Sequence, residues 1–133
     1  AMMNIAREWG VAEQLLMMGF KRPIEPWIAA CDVVLAPSRG DAFGRTIIEA
    51  MQLGVPVIAT SAGGHSEIVD HMGTGLLVQA GNYIEMAMAG IKIFESVALQ
   101  NKLITNGKRK AESTYSVEST TERIKTMYEM LGS

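Results

Sequence analysis

Excess charge of one sign, paired cysteines and long apolar runs are all missing from this 133-residue chain, and each absence excludes something. A formal net charge of −2 provides no broad basic footprint, so nucleic acid is not expected as a partner. The lone Cys31 cannot form an internal disulfide, which suits a reducing compartment, and it reads as a small buried filler ahead of a strand. No stretch approaches the roughly 18 consecutive apolar residues of a membrane span, and the opening Ala1-Met2-Met3-Asn4 lacks the basic and apolar regions of a signal peptide. The expected location is the cytoplasm. No Asp-X-Asp pair or histidine cluster occurs, so no metal is implied.

An apolar fraction of 48% and a charged fraction of 20% argue against disorder, and the length suits one domain over residues 1–133 with a buried core. Apolar runs alternate with helical stretches, the pattern of an α/β domain with a parallel sheet. Residues 3–13 read as a helix, Leu15 to Phe20 as a short buried strand, and Pro23 to Ala30 as a second helix. A strand follows over Asp32 to Ala36. After the loop Pro37-Ser38-Arg39-Gly40-Asp41, the spacing of Phe43, Ile47, Ile48 and Met51 predicts a helix that ends at Leu53-Gly54. Val55 to Ala59 and Leu76 to Val78 are further strands, separated by Gly63-Gly64 and a helix over residues 66–71. Helices over Tyr83 to Phe94, Val97 to Glu112 and Val117 to Leu131 complete the chain. The expected fold is α/β, a partial doubly wound parallel sheet of about four strands with a helical C-terminus.

The segment carrying chemistry begins where the Asp32 to Ala36 strand ends. A loop with Gly40 and Gly44 leads into a helix opening near Gly44, so the free N–H groups of Gly44, Arg45 and Thr46 face the crevice beyond the strand ends. That is an anion site, suited to a diphosphate because glycine holds nothing away from the backbone and the helix dipole favours negative charge. Glu49 lies one turn further in and can reach back toward a ligand there, where paired ribose hydroxyls would suit its carboxylate. Asp41, on the other side of the phosphate position, could accept from sugar hydroxyls. Cationic candidates are few: Arg45 and Lys21 are poorly placed by sequence.

The run from Val34 to Thr60, with Pro37-Ser38, Phe43-Gly44 and the acids Asp41 and Glu49 separated by seven other residues, resembles the donor-site signature of family 4 retaining glycosyltransferases. Ala62-Gly63-Gly64-His65-Ser66-Glu67-Ile68-Val69 and Gly73-Thr74-Gly75-Leu76-Leu77-Val78 continue the resemblance. It covers residues 32–81 specifically and the remainder loosely. The resemblance implies a GT-B architecture of which this chain is the truncated donor-binding part, and a nucleoside diphosphate sugar as donor substrate with no other cofactor. It implies that Asp41 and Glu49 serve the reaction by holding the donor sugar and the ribose. Phe43, Gly44, Arg45 and Thr46 would hold the sugar and phosphates, and the turn with Phe20 and Lys21 would meet the base. A glycan or other hydroxyl compound would be the acceptor of the full-length parent, which is either cytoplasmic or peripheral to a membrane. The fragment itself is expected to bind donor weakly and to turn over little.

This sequence departs from the family at Asp41, where Glu is usual, and has no counterpart of the family's Arg and Lys pair. The Leu15 to Phe20 strand would lack its usual neighbours, so it either repacks beside Asp32 to Ala36 or pairs with a second copy in a homodimer. Two other functions stand beside the transferase: a non-catalytic nucleotide-binding or oligomerisation module of the same fold, and a nucleotide-sugar epimerase using His65 with Glu67. His65 otherwise reads as a structural helix-start residue and His71 as a surface one. Lys108-Arg109-Lys110 reads as a solvated helix face, and Trp9, Trp27 and the ten methionines as core or interface packing.

Overall fold

A computed structural model describes residues 2–19, 21–37, 44–115, 125 and 129–131. Along the chain run α1 (Met2–Glu8), a 3-10 turn (Ala12–Gln14), α2 (Glu25–Ala29), β1 (Val34–Ala36), α3 (Arg45–Gln52) and β2 (Val57–Thr60). They are followed by α4 (His65–Ile68), β3 (Leu76–Val78), α5 (Tyr83–Phe94) and α6 (Val97–Tyr115). The three strands form one parallel sheet in the order β1-β2-β3, with Leu35 opposite Ile58 and Ala59 opposite Leu77. This is the wing of a doubly wound sheet in which successive strands are neighbours.

The period of two along β2 sorts the core into two halves. Val57 and Ala59 face one layer, where Ile47, Ile48 and Met51 of α3 meet Ile68, Val69 and Ala111. Ile58 faces the other, with Leu76, Val78, Ala89 and Ile93 of α5, and Leu103 of α6. Covered on both faces and paired on both edges, every residue of β2 is buried. Gly75 makes this packing possible, since a Cβ there would stand 2.8 Å from Val69 Cγ1 and 2.9 Å from the Val57 carbonyl oxygen. The outer edge of β3 is partly closed by His71, whose Nδ1 accepts from the Leu77 N–H at 3.0 Å.

Two helix ends follow from glycine. At Gly54, with φ +74°, the N–H donates to Met51 O while Val55 N–H donates to Ala50 O at 2.9 Å, a Schellman closure of α3. The same pair of bonds forms at Gly10, where φ is +71°, from Gly10 to Arg7 and from Val11 to Ala6. That closure stops α1 at Glu8, short of the helix expected over residues 3–13.

Three expectations need correction. Among the described residues the sheet has three strands where about four were expected: residues 15–19 join no strand, and Leu16 and Met17 remain 78% and 61% exposed. Among the described residues β1 pairs only with β2, so the apolar run does not repack beside it. Hydrophobicity alone forms no ladder, because a strand also needs a partner for its N–H and C=O groups. Trp9, at 74% exposure, and Trp27, at 45%, lie outside the core. Cys31 is exposed rather than buried, its thiol directed to the Trp27 carbonyl at 3.3 Å. Of the helix expected over Val117 to Leu131, only residues 125 and 129–131 are among those described, and these are helical.

Candidate functional site

The site is built on the start of α3. Gly44 precedes the helix with no side-chain cap, and its carbonyl accepts from Ile48 N–H at 3.1 Å. Among the described residues the amides of Arg45, Thr46 and Ile47 have no acceptor, as expected of the first turn of a helix. Gly44 is itself buried, and a Cβ there would lie 2.7 Å from Ile47 Cδ1 and 3.2 Å from Ile68 Cδ1. Glycine at this point lets the loop backbone sit directly on the α3–α4 packing.

Beside this helix start lies a cleft of about 560 Å³ lined by Lys21, Arg22, Pro23, Glu25, Arg45 and Glu49, among others. The chain thus brings together two segments far apart in sequence: Lys21 ahead of α2, and Arg45 with Glu49 in the first two turns of α3. Arg45 and Thr46 are exposed, whereas Glu49 is half-buried. Among the described residues the Glu49 carboxylate forms no hydrogen bond or ion pair, although Arg45 lines the same cleft. A half-buried carboxylate with no partner among the described residues has acceptor capacity to offer a ligand. Lys21 is held by the aromatic face of Trp27, its Nζ 5.4 Å from the ring centroid. Three cations and two carboxylates line the cleft, a balance that tolerates an anionic ligand without repelling hydroxyl donors.

Asp41, Phe43 and Phe20 lie outside the described residues, so Gly44, Arg45, Thr46, Glu49 and Lys21 are the candidate residues with a described position. The sequence reading placed Arg22 with Lys21 in the turn expected to meet the base but missed the cleft wall formed by Pro23, Ile24 and Glu25, taking Pro23 only as a helix start; adjacency to Lys21 was the available signal. His65 is 2% exposed, and its Nδ1–H donates to the Thr60 carbonyl at 3.0 Å. Buried in this way, it ties α4 to the end of β2 and is not open to a substrate together with the exposed Glu67. In the basic run of α6, Lys110 is engaged with Asp70 at 3.2 Å and with the Glu67 carbonyl, so it fastens α6 to the turn before β3. Among the described residues no group of three or more His, Cys, Asp or Glu side chains could hold a metal ion. No described helix is long and apolar enough to cross a membrane.

The model of the family described as glycosyl transferases group 1 matches residues 2–96. The chain belongs to this family. Among its relatives, the lipopolysaccharide core biosynthesis mannosyltransferase LpsB of Rhizobium meliloti is 32% identical over 124 residues, covering 92% of this chain and 35% of that protein. The N-acetyl-alpha-D-glucosaminyl L-malate synthase of Bacillus anthracis is 28% identical, covering 97% of this chain and 33% of its own length. Among solved structures, Anabaena HepE in complex with UDP superposes with a TM-score of 0.93 at 28% identity, over 97% of this chain and 36% of that one. HepE in complex with UDP-glucose gives 0.91. The C-terminal domain of a group 1 glycosyl transferase (LpcC) from Francisella tularensis matches with a TM-score of 0.75 at 26% identity, over 86% of this chain and 60% of that one. The chain spans about a third of the length of the curated relatives it matches.

Proposed function

We propose that this chain supplies the donor-binding part of a retaining glycosyltransferase, one that moves a sugar from a nucleoside diphosphate sugar to a hydroxyl acceptor in glycan synthesis. The observation that carries the reading is the half-buried Glu49 carboxylate, without a partner among the described residues, in a cleft beside the start of α3. In that cleft the ribose hydroxyls donate to Glu49, and the base lies against the turn at Phe20 and Lys21. The diphosphate takes the amides from Phe43 to Thr46, where the helix dipole adds to the N–H groups. Asp41 accepts from the hydroxyls of the transferred sugar.

Chemically, the glycosidic bond breaks as negative charge grows on the leaving diphosphate. Preorganised amides at the helix start stabilise that charge more in the transition state than in the bound donor. Arg45, at the same helix start, adds a positive charge near the phosphates. The acceptor oxygen forms its new bond to the anomeric carbon on the face the diphosphate leaves and gives its proton to the departing phosphate oxygen, so configuration is retained, and no enzyme nucleophile is required. Support for a nucleotide sugar comes from the fold's likeness to HepE, whose complexes contain UDP and UDP-glucose. A titration of isotopically labelled protein with UDP, GDP and ADP tests the reading. Amide shifts centred on Gly44 to Thr46 and Glu49 are expected with one of them, and a flat response to all three at millimolar concentration would overturn it. Retention is checked separately, from the anomeric configuration of the product made by the full-length parent.

A further inference from the structure

A second, smaller cleft of about 240 Å³ lies at the carboxyl ends of all three strands, where open α/β sheets bind ligands. Its walls are Pro37 after β1, Thr60 at the end of β2, Gln79 after β3, and Asn82, Tyr83 and Met86 at the start of α5. It shares no lining residue with the Glu49 cleft and adjoins the point where the chain leaves β1 toward Asp41.

The polar groups in this cleft define what it can take. None of its described lining residues carries a charge at neutral pH. The start of α5 is already capped, since Asn82 Oδ1 accepts from Glu85 N–H at 2.9 Å, and Glu85 Oε2 in turn accepts from Gln79 N–H at 3.2 Å. A capped helix with a carboxylate in its first turn is a poor site for phosphate. Three groups nevertheless have no partner among the described residues: the Gln79 side-chain amide, the Asn82 NH₂ and the Tyr83 hydroxyl. Together they provide donors and acceptors of both kinds. Beside them stand apolar surfaces, namely the Tyr83 ring, 75% exposed, with Met86 and Pro37. A neutral polyol ring has this same division, hydroxyls at its edge and C–H groups on its face.

We propose that this cleft is a binding subsite for a neutral sugar ring, with Gln79, Asn82 and Tyr83 as its hydroxyl-recognising residues. The proposal extends the donor-site reading, which places a transferred sugar nearby; the sugar in the cleft is either the donor's glycosyl group or a saccharide acceptor. Both present the same chemistry, and the experiment separates them.

Amide spectra of the labelled chain are recorded with UDP, with UDP-glucose and with methyl α-glucoside. Shifts at Thr60, Gln79 and Tyr83 that UDP-glucose causes and UDP does not would assign the cleft to the donor sugar. The same shifts with methyl α-glucoside alone would assign it to an acceptor saccharide. If neither sugar moves these amides at tens of millimolar, the proposal is overturned. Shifts at Arg45 and Thr46 with UDP report on the donor site independently, so their absence would sink that reading and leave the sugar response to decide this one. Gln79→Ala and Tyr83→Ala change exposed side chains and should each weaken the sugar response about threefold to tenfold while leaving the UDP response unaltered. An undiminished sugar response in both variants would also overturn the proposal.

Discussion

Exchanging one glycine for alanine should have opposite effects at two places in this fold. At Gly75 the added methyl would meet Val69 Cγ1 at 2.8 Å and the Val57 carbonyl oxygen at 2.9 Å. The second of these contacts is the backbone of the fully buried central strand, which cannot rotate aside as a side chain can. Relief requires β2 and the turn before β3 to separate by several tenths of an ångström, which breaks close packing on both sides. Overpacking of this kind costs about 1–3 kcal/mol. For a chain of this size that corresponds to a fall in Tm of about 4–10 °C. At Gly90, in the interior of α5, the nearest atom to an added Cβ is Ile58 Cδ1 at 3.9 Å, an ordinary contact. Gly90→Ala should therefore stabilise the helix by about 0.5–1 kcal/mol through helix propensity. Thermal unfolding followed by circular dichroism compares the two variants with the parent chain. Equal Tm values for all three would refute the packing argument, and a rise for Gly75→Ala would show that β2 has room the structure does not give it.

Three further substitutions probe separate features. Glu49→Gln keeps the size of the side chain but removes a charged acceptor, so the affinity for UDP should fall about tenfold to a hundredfold with Tm nearly unchanged; calorimetric titration measures the first and unfolding the second. Ser96→Ala removes the hydroxyl that accepts from Leu99 N–H at 3.1 Å at the start of α6, and should cost about 1 kcal/mol in urea unfolding. Lys110→Ala breaks the pair with Asp70, whose side chain is 63% exposed, and should cost only about 0–1 kcal/mol, with the difference shrinking in salt.

The parts of the fold legible in the sequence were those with strong local signals. Ile47, Ile48 and Met51 at helical spacing, with Gly54 behind them, place α3 and its end, and all three side chains are buried. Tyr83–Phe94 and Leu76–Val78 have the expected bounds, the first set by Asn82 as cap and the second by Gly75. Leu15 to Phe20 carries an equally apolar pattern, yet pattern says nothing of whether a neighbouring strand is there to pair with it. Cys31 failed for a related reason: residue type predicts burial only on average, and exposure depends on what packs alongside; for Trp9 and Trp27 the structure removes the core half of the reading and leaves the interface half. Of the site, the helix start at Gly44 and the position of Glu49 were legible because both follow from helix geometry. The meeting of Glu49 with the turn at Lys21 and Arg22 was suggested by resemblance, and the wall from Pro23 to Glu25 was not legible, because contacts between distant segments are set by tertiary packing. The cleft at the strand ends joins residues from Pro37 to Met86 and has no motif of its own.

The central claim is that Glu49 receives the ribose of a nucleotide held at the start of α3. The most direct test measures the affinity of UDP and of its 2′,3′-dideoxy analogue for the parent chain and for Glu49→Ala. If the carboxylate binds the ribose hydroxyls, their removal weakens binding to the parent about tenfold or more, and the Glu49→Ala variant no longer distinguishes the two ligands. If the variant discriminates between them as strongly as the parent does, the hydroxyls are bound elsewhere and the assignment of the cleft is wrong.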